Sequence, residues 1–148
     1  MICAINHICA HVENVTYVKY IKFGWEPVLI GKGLLPRIPS YIAKRGLGTH
    51  CVLVADDNTY AVCGAKTEAI LRSAGRQVKT LLFHGTGFLI PDNQAVERLL
   101  KAAAPPVDLL VGVGSGVIND LCKHVSNCLH IPYIIVATAP SMDGYVSM

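Results

Sequence analysis

Hydrophobic positions along this chain fall into two kinds of pattern, short continuous runs and longer stretches in which they recur every three or four residues. The runs PVLIGKG, HCVLVAD, QVKTLLF, VDLLVGVG and YIIVATA predict five strands that are apolar on both faces. After the first run, Pro36 and Pro39 make the chain irregular before a short helix ending near Arg45. Between the second and third runs, Tyr60 to Ala74 predicts a helix. Ala61, Ala65 and Ala69 form a small-residue face on it that could lie close to a sheet, and Gly75 stops it. Asp92 is an N-cap for a helix whose apolar stripe is Ala95, Val96, Leu99, Leu100 and Ala103, ended by Pro105 and Pro106. Val117, Ile118, Leu121, Val125 and Leu129 make the face of the next helix. Doubly apolar strands alternating with amphipathic helices predict an α/β fold, a Rossmann-like, doubly wound, mostly parallel sheet covered on both sides. Residues 1–24 do not follow the alternation and are expected to be an edge strand or a leader. Residues 25–148 form the domain proper.

Composition narrows the classes of function. A chain of 148 residues with 52% hydrophobic content suits one domain that buries roughly two thirds of its unfolded surface. Every apolar run is broken well short of the roughly 18 residues that a membrane span needs. The amino terminus also lacks the basic start and long apolar core of a signal peptide, so a cytoplasmic location is expected. Cysteines at 3, 9, 51, 63, 122 and 128 have no paired spacing and read as reduced, mostly buried thiols. The net charge of +3 comes without a basic run or interleaved aromatics, which speaks against a nucleic-acid partner and suits a small anionic ligand.

Three features carry candidate chemistry. In VGVGSGVIND, Gly112, Gly114 and Gly116 lie where a strand becomes a helix, and unpaired N–H groups at a helix start attract phosphate. The same glycines could simply let strand and helix pack closely. Asp120, about one turn inside that helix, would complement its dipole, order the loop or accept a ribose hydroxyl. Asp56 ends the second strand, where it could accept hydrogen bonds from an adenosine ribose or cap the turn in DDNT; the cap is slightly favoured. Thr138, Ser141, Asp143 and Ser147 follow the fifth strand and would project into the same crevice, although Pro140 and the DG dipeptide also mark an ordinary turn. Cys3, His7, Cys9 and His11 have a spacing that matches no common structural zinc site, and His84 and His124 read as loop and solvent-face residues.

VGVGSGVINDLCKHVS followed by IPYIIVATAPSMDGYVS resembles the sn-glycerol-1-phosphate dehydrogenases, a branch of the superfamily of iron-type alcohol dehydrogenases, glycerol dehydrogenase and 3-dehydroquinate synthase. VLIGKGLL and VADDNTYAV fall where that family has its first strand and its adenosine-binding strand end, so the likeness covers about residues 26 to 148. The resemblance implies an amino-terminal domain that binds NAD or NADP. In it Asp56 would meet the ribose, and Gly116, Val117, Ile118, Asn119 and Asp120 would hold the pyrophosphate. Thr138, Ala139, Pro140, Ser141 and Ser147 would contact the cofactor, and Asp143 the substrate. It further implies a helical carboxyl-terminal domain, with the zinc or nickel ligands beyond Met148, and reversible hydride transfer between dihydroxyacetone phosphate and sn-glycerol 1-phosphate. This chain alone would then be the inactive, nucleotide-binding half of a two-domain enzyme that could form homo-oligomers. Val117 and Cys122 depart from the small or polar residues expected there. Two alternatives stay open, a glycerol dehydrogenase-like polyol oxidoreductase and a free-standing nucleotide-binding module.

Overall fold

Cys51 to Ala55 are five consecutive residues with almost no solvent access, the signature of a strand covered on both faces, and they form an inner strand of the sheet. A computed structural model describes residues 16–21, 28–31, 33–85 and 90–139, the first two ranges by their backbone alone. Its strands are β1 (Thr16–Ile21), β2 (Val28–Gly31), β3 (His50–Asp56), β4 (Gln77–Phe83), β5 (Leu109–Gly114) and β6 (Tyr133–Ala137). They form one sheet in the order β2-β1-β6-β5-β3-β4. β4, β3, β5 and β6 are mutually parallel neighbours, and β1 pairs antiparallel with both β6 and β2. The five predicted strands are present, and β3 and β4 coincide with HCVLVAD and QVKTLLF. Within residues 1–24, Thr16–Ile21 is a strand between β2 and β6, and β2 holds the edge.

Helices cover both sides, so alternate residues of each strand enter different cores. On one side α1 (Ile38–Lys44) and α3 (Ala65–Ser73) pack Ile38, Ile42 and Leu71 on Leu53, Val111 and Ile134. On the other, α4 (Asn93–Ala102) and α5 (Gly116–Leu129) pack Leu99, Ile118, Leu121 and Val125 on Val52, Val54, Leu110 and Ile135. Asp92 caps α4 as expected, its Oδ1 accepting the Ala95 N–H at 2.8 Å.

The helix expected from Tyr60 begins earlier. Asp57–Thr59 (α2) runs through a π-helical stretch, Tyr60–Gly64, into α3 without a break. The expected alanine face does not meet the sheet: Ala61, Ala65 and Ala69 are exposed, and the helix meets the sheet through Gly64, Thr67 and Leu71. Alanine favours a helix without favouring either side of it, whereas burying Leu71 removes a large apolar surface from water. The Tyr60 ring lies across Gly64, where an added Cβ would come within 2.7 Å of it. Its hydroxyl donates to Glu68 Oε2 at 2.8 Å.

Candidate functional site

The carboxyl ends of the parallel strands bring the candidate residues together. From β3 the chain moves outward to β4, and from β5 it moves the opposite way to β6, so a topological switch lies between β3 and β5. Asp56 is in register with Phe83 of β4, Val54 with Gly112 of β5, and Gly114 with Ala137 of β6. The Thr138 N–H continues this last pairing by donating to the Gly114 carbonyl at 3.1 Å. Asp56, the β5–α5 turn and Thr138 therefore share one edge of the sheet.

At the β5–α5 turn, Ser115 holds the N-cap position without a side-chain cap, and the first turn of α5 has no acidic residue. The Asn119 N–H donates to the Ser115 carbonyl at 3.0 Å. The N–H groups of Gly116, Val117 and Ile118 precede that bond and have no acceptor within the helix. This is a partly positive, donor-rich helix start, and the side chain of its N-cap residue, Ser115, does not cap it. The glycines before it serve packing. A Cβ on Gly114 would lie 2.6 Å from Ile118 Cγ1, and one on Gly112 would lie 2.9 Å from both Cys122 Sγ and Ile135 Cδ1. Ile118 and Asn119 are buried and Val117 is half-buried, whereas Asp120 lies exposed in the second turn.

Asp56 caps α2. Its Oδ1 accepts the Thr59 N–H at 2.8 Å and its own N–H donates to Thr59 Oγ1 at 3.1 Å, a reciprocal capping box. The cap uses Oδ1 and leaves Oδ2 outside it.

Sequence reasoning missed the partner of His84. His84 Nδ1 lies 2.7 Å from Asp57 Oδ1, and the Gly85 N–H donates to Asp57 Oδ2 at 3.3 Å. Asp57 and His84 each follow the paired positions Asp56 and Phe83, so this pair joins the ends of neighbouring strands. A histidine after one strand and an acid after another was visible in the sequence, but their adjacency depends on strand order. A second carboxylate, Glu68, accepts from Tyr60, from Thr80 Oγ1 at 2.8 Å and from Arg72 Nε at 2.9 Å. Burial works against its charged form, but these three donors and the Arg72 charge outweigh it and lower its pKa.

The opposite, amino edge of the sheet carries a cleft of about 590 Å³ bordered by His50, Arg72, Arg76 and Lys79. Its cations tie down main-chain carbonyls: Arg72 holds Val78, Arg76 holds Leu47 and Gly48, and Lys79 holds Ala102. These contacts brace the amino ends of β3 and β4 and lie away from the switch point.

Among the described residues, no three His, Cys, Asp or Glu side chains converge on a point that could hold a metal ion. Cys51 and Cys122 are buried thiols whose pKa values are pushed up by burial, to about 11 and about 12, so they pack as small apolar groups. Pro140, Ser141, Asp143 and Ser147 lie outside the described residues, as do Cys3, His7, Cys9 and His11.

Relatives and neighbours agree with this architecture. The chain is 35% identical over 121 residues to an NAD(P)+ glycerol-1-phosphate dehydrogenase of Halalkalibacterium halodurans, covering 80% of this chain and 30% of the relative. It is 32% identical to the enzyme of the same name from Bacillus subtilis, covering 97% of this chain and 37% of that one. The chain thus spans about a third of the length of these curated relatives. Among solved structures, the fold resembles a glycerol dehydrogenase from Schizosaccharomyces pombe with a TM-score of 0.56 at 21% identity, covering 68% of this chain and 24% of that one. It also resembles an iron-containing alcohol dehydrogenase from Thermococcus thioreducens with a TM-score of 0.53 at 21% identity, covering 65% and 24%. The model of the iron-containing alcohol dehydrogenases matches residues 29–148, and this chain belongs to that family.

Proposed function

We propose that this chain is the NAD(P)-binding part of a metal-dependent glycerol-1-phosphate dehydrogenase that interconverts dihydroxyacetone phosphate and sn-glycerol 1-phosphate in the cytoplasm. One observation carries the reading: the start of α5, which its N-cap side chain Ser115 does not cap, lies at the switch point of the sheet, with Asp56 at the neighbouring strand end. The names of the curated relatives supply the substrate class.

The residues present fit a dinucleotide. The N–H groups of Gly116, Val117 and Ile118 would hold its pyrophosphate, with the helix dipole favouring the negative charge. Asp56 Oδ2, outside the α2 cap, would accept a ribose hydroxyl while Oδ1 keeps the carboxylate oriented. Thr138 and Ala139 continue β6 past this point and would flank the cofactor towards its nicotinamide end; by the family resemblance Pro140, Ser141 and Ser147 would also contact the cofactor, and Asp143 the substrate. The bound dinucleotide supplies the hydride. The described residues do not fit a catalytic metal ion, for want of three converging ligands. Zinc or nickel therefore belongs to the proposal for the whole enzyme.

Isothermal titration with NADH tests the cradle. Binding is expected in the parent and its loss in Gly116→Val, with the thermal unfolding transition retained. Absence of NADH binding at millimolar concentration in the parent refutes the reading. Unfolding of Gly116→Val assigns the glycine to packing.

A further inference from the structure

The end of β4 lies beside the end of β3, so whatever group Asp56 faces also comes near the residues that follow Phe83. His84 stands there with its side chain 71% exposed, and its Nδ1 is 2.7 Å from Asp57 Oδ1. An ionised carboxylate only accepts hydrogen bonds, so Nδ1 must carry the proton in this contact. That fixes the chemistry of the other ring nitrogen. In the neutral ring Nε2 is a bare acceptor able to take the proton of a hydroxyl; in the charged ring it is a donor able to bind an anionic oxygen.

We infer that His84, oriented by Asp57, discriminates between the 2′-hydroxyl of NAD and the 2′-phosphate of NADP; this rests on the dinucleotide reading above. The charges around it support the assignment. Asp56 and Asp57 place two carboxylates at the end of β3, and Arg98 of α4 places one guanidinium at the end of β4, 4.7 Å over the Phe83 ring and donating to the Leu82 carbonyl. With His84 neutral, these groups sum to a negative charge that repels a 2′-phosphate. With His84 protonated, the sum is zero and a donor is presented to the phosphate. Asp57 acts as a positioning residue, since its carboxylate engages Nδ1 and leaves Nε2 free to meet a ligand. The arrangement gives one site two cofactor preferences, one for each form of the ring.

The experiment compares binding of 5′-ADP and 2′,5′-ADP to the chain by isothermal titration at about pH 6 and about pH 8, in the parent, His84→Gln and Asp57→Asn. The 2′-phosphate itself titrates near pH 6, so the informative quantity is the difference between parent and variant. In the parent, the affinity ratio of 2′,5′-ADP to 5′-ADP should rise about tenfold more towards low pH than it does in His84→Gln, as a charge-assisted hydrogen bond implies. Asp57→Asn should lie between the two. Because His84 is exposed, the unfolding transition of His84→Gln should match the parent. An equal pH dependence of the ratio in parent and His84→Gln, with both nucleotides bound, overturns the inference while leaving the dinucleotide reading intact. Failure of both nucleotides to bind the parent removes that reading, and the inference with it.

Discussion

At the scale of single residues, Asp56 carries two duties that substitution can separate. Asn caps helices about as well as Asp, whereas Ala does not, and loss of a cap costs about 1 kcal/mol. Asp56→Ala is therefore expected to lower stability by about 1 kcal/mol in urea unfolding, while Asp56→Asn retains it. Both should weaken NADH binding, because the ribose hydroxyl loses a charged acceptor in either variant. Equal NADH affinity in the parent and Asp56→Asn would leave Asp56 with the cap alone. Gly114 behaves differently. Its added Cβ would meet Ile118 Cγ1 and Cβ at 2.6 and 2.8 Å, and the branch point of a buried isoleucine cannot swing aside. Gly114→Ala should cost about 1–3 kcal/mol by overpacking, seen as a lower urea midpoint with or without nucleotide. Thiol reactivity divides along the same line. Cys128 is exposed, whereas Cys51 and Cys122 are buried and hold their protons to about pH 11 and 12. Peptide-resolved alkylation near neutral pH should label Cys128 in the native protein, and Cys51 and Cys122 only after unfolding.

At the scale of elements, the π-helical stretch and α3 present their sheet-facing side through Gly64, Thr67 and Leu71. Ala65→Gln and Ala69→Gln should then change stability by no more than about 0.5 kcal/mol, as exposed substitutions do. Leu71→Ala should cost about 2–5 kcal/mol. Urea midpoints for the three variants check this, and a large loss for either alanine position would return the small residues to the interface. Glu68 ties this helix to the edge strand through Thr80, its side chain only 17% exposed. Its pKa is lowered by folding, so the unfolded state binds the proton more tightly. The stabilisation is complete above the ordinary glutamate range and is lost as pH falls through the folded value. Unfolding free energies measured from about pH 6 down to about pH 3 should fall less steeply in Glu68→Gln than in the parent.

At the scale of the whole molecule, the α5 start, Asp56 and Thr138 share one edge of the sheet, and no metal centre lies among the described residues. On the reading proposed here, residues 1–148 bind NADH but do not oxidise it with dihydroxyacetone phosphate, even with zinc or nickel added. A longer chain that also carries the metal ligands does so. Absorbance at the nicotinamide band follows both reactions. Metal-dependent turnover by residues 1–148 alone would overturn the division of labour and direct attention to ligands such as Cys3, His7, Cys9 and His11.

Much of this arrangement was legible in the linear pattern. Doubly apolar runs such as HCVLVAD and QVKTLLF encode buried parallel strands, and Asp92 encodes a helix start, because burial on two faces and capping are local demands on composition. The family was legible for the same reason: the loops after β5 and β6 are contiguous stretches of sequence. Residues that act across strand ends were not. Asp57 and His84 are far apart in the chain and meet at 2.7 Å only because β3 and β4 pair in parallel register. The insertion of β1 between β2 and β6, and the turning of Ala61, Ala65 and Ala69 to solvent, likewise depended on tertiary structure. By itself the sequence determined the alternation of elements, the strand cores and the glycine-rich helix start. Strand order, helix rotation and the pairing of distant charges were decided by the folded molecule, since they follow from which surfaces can be buried together and not from the preference of any segment.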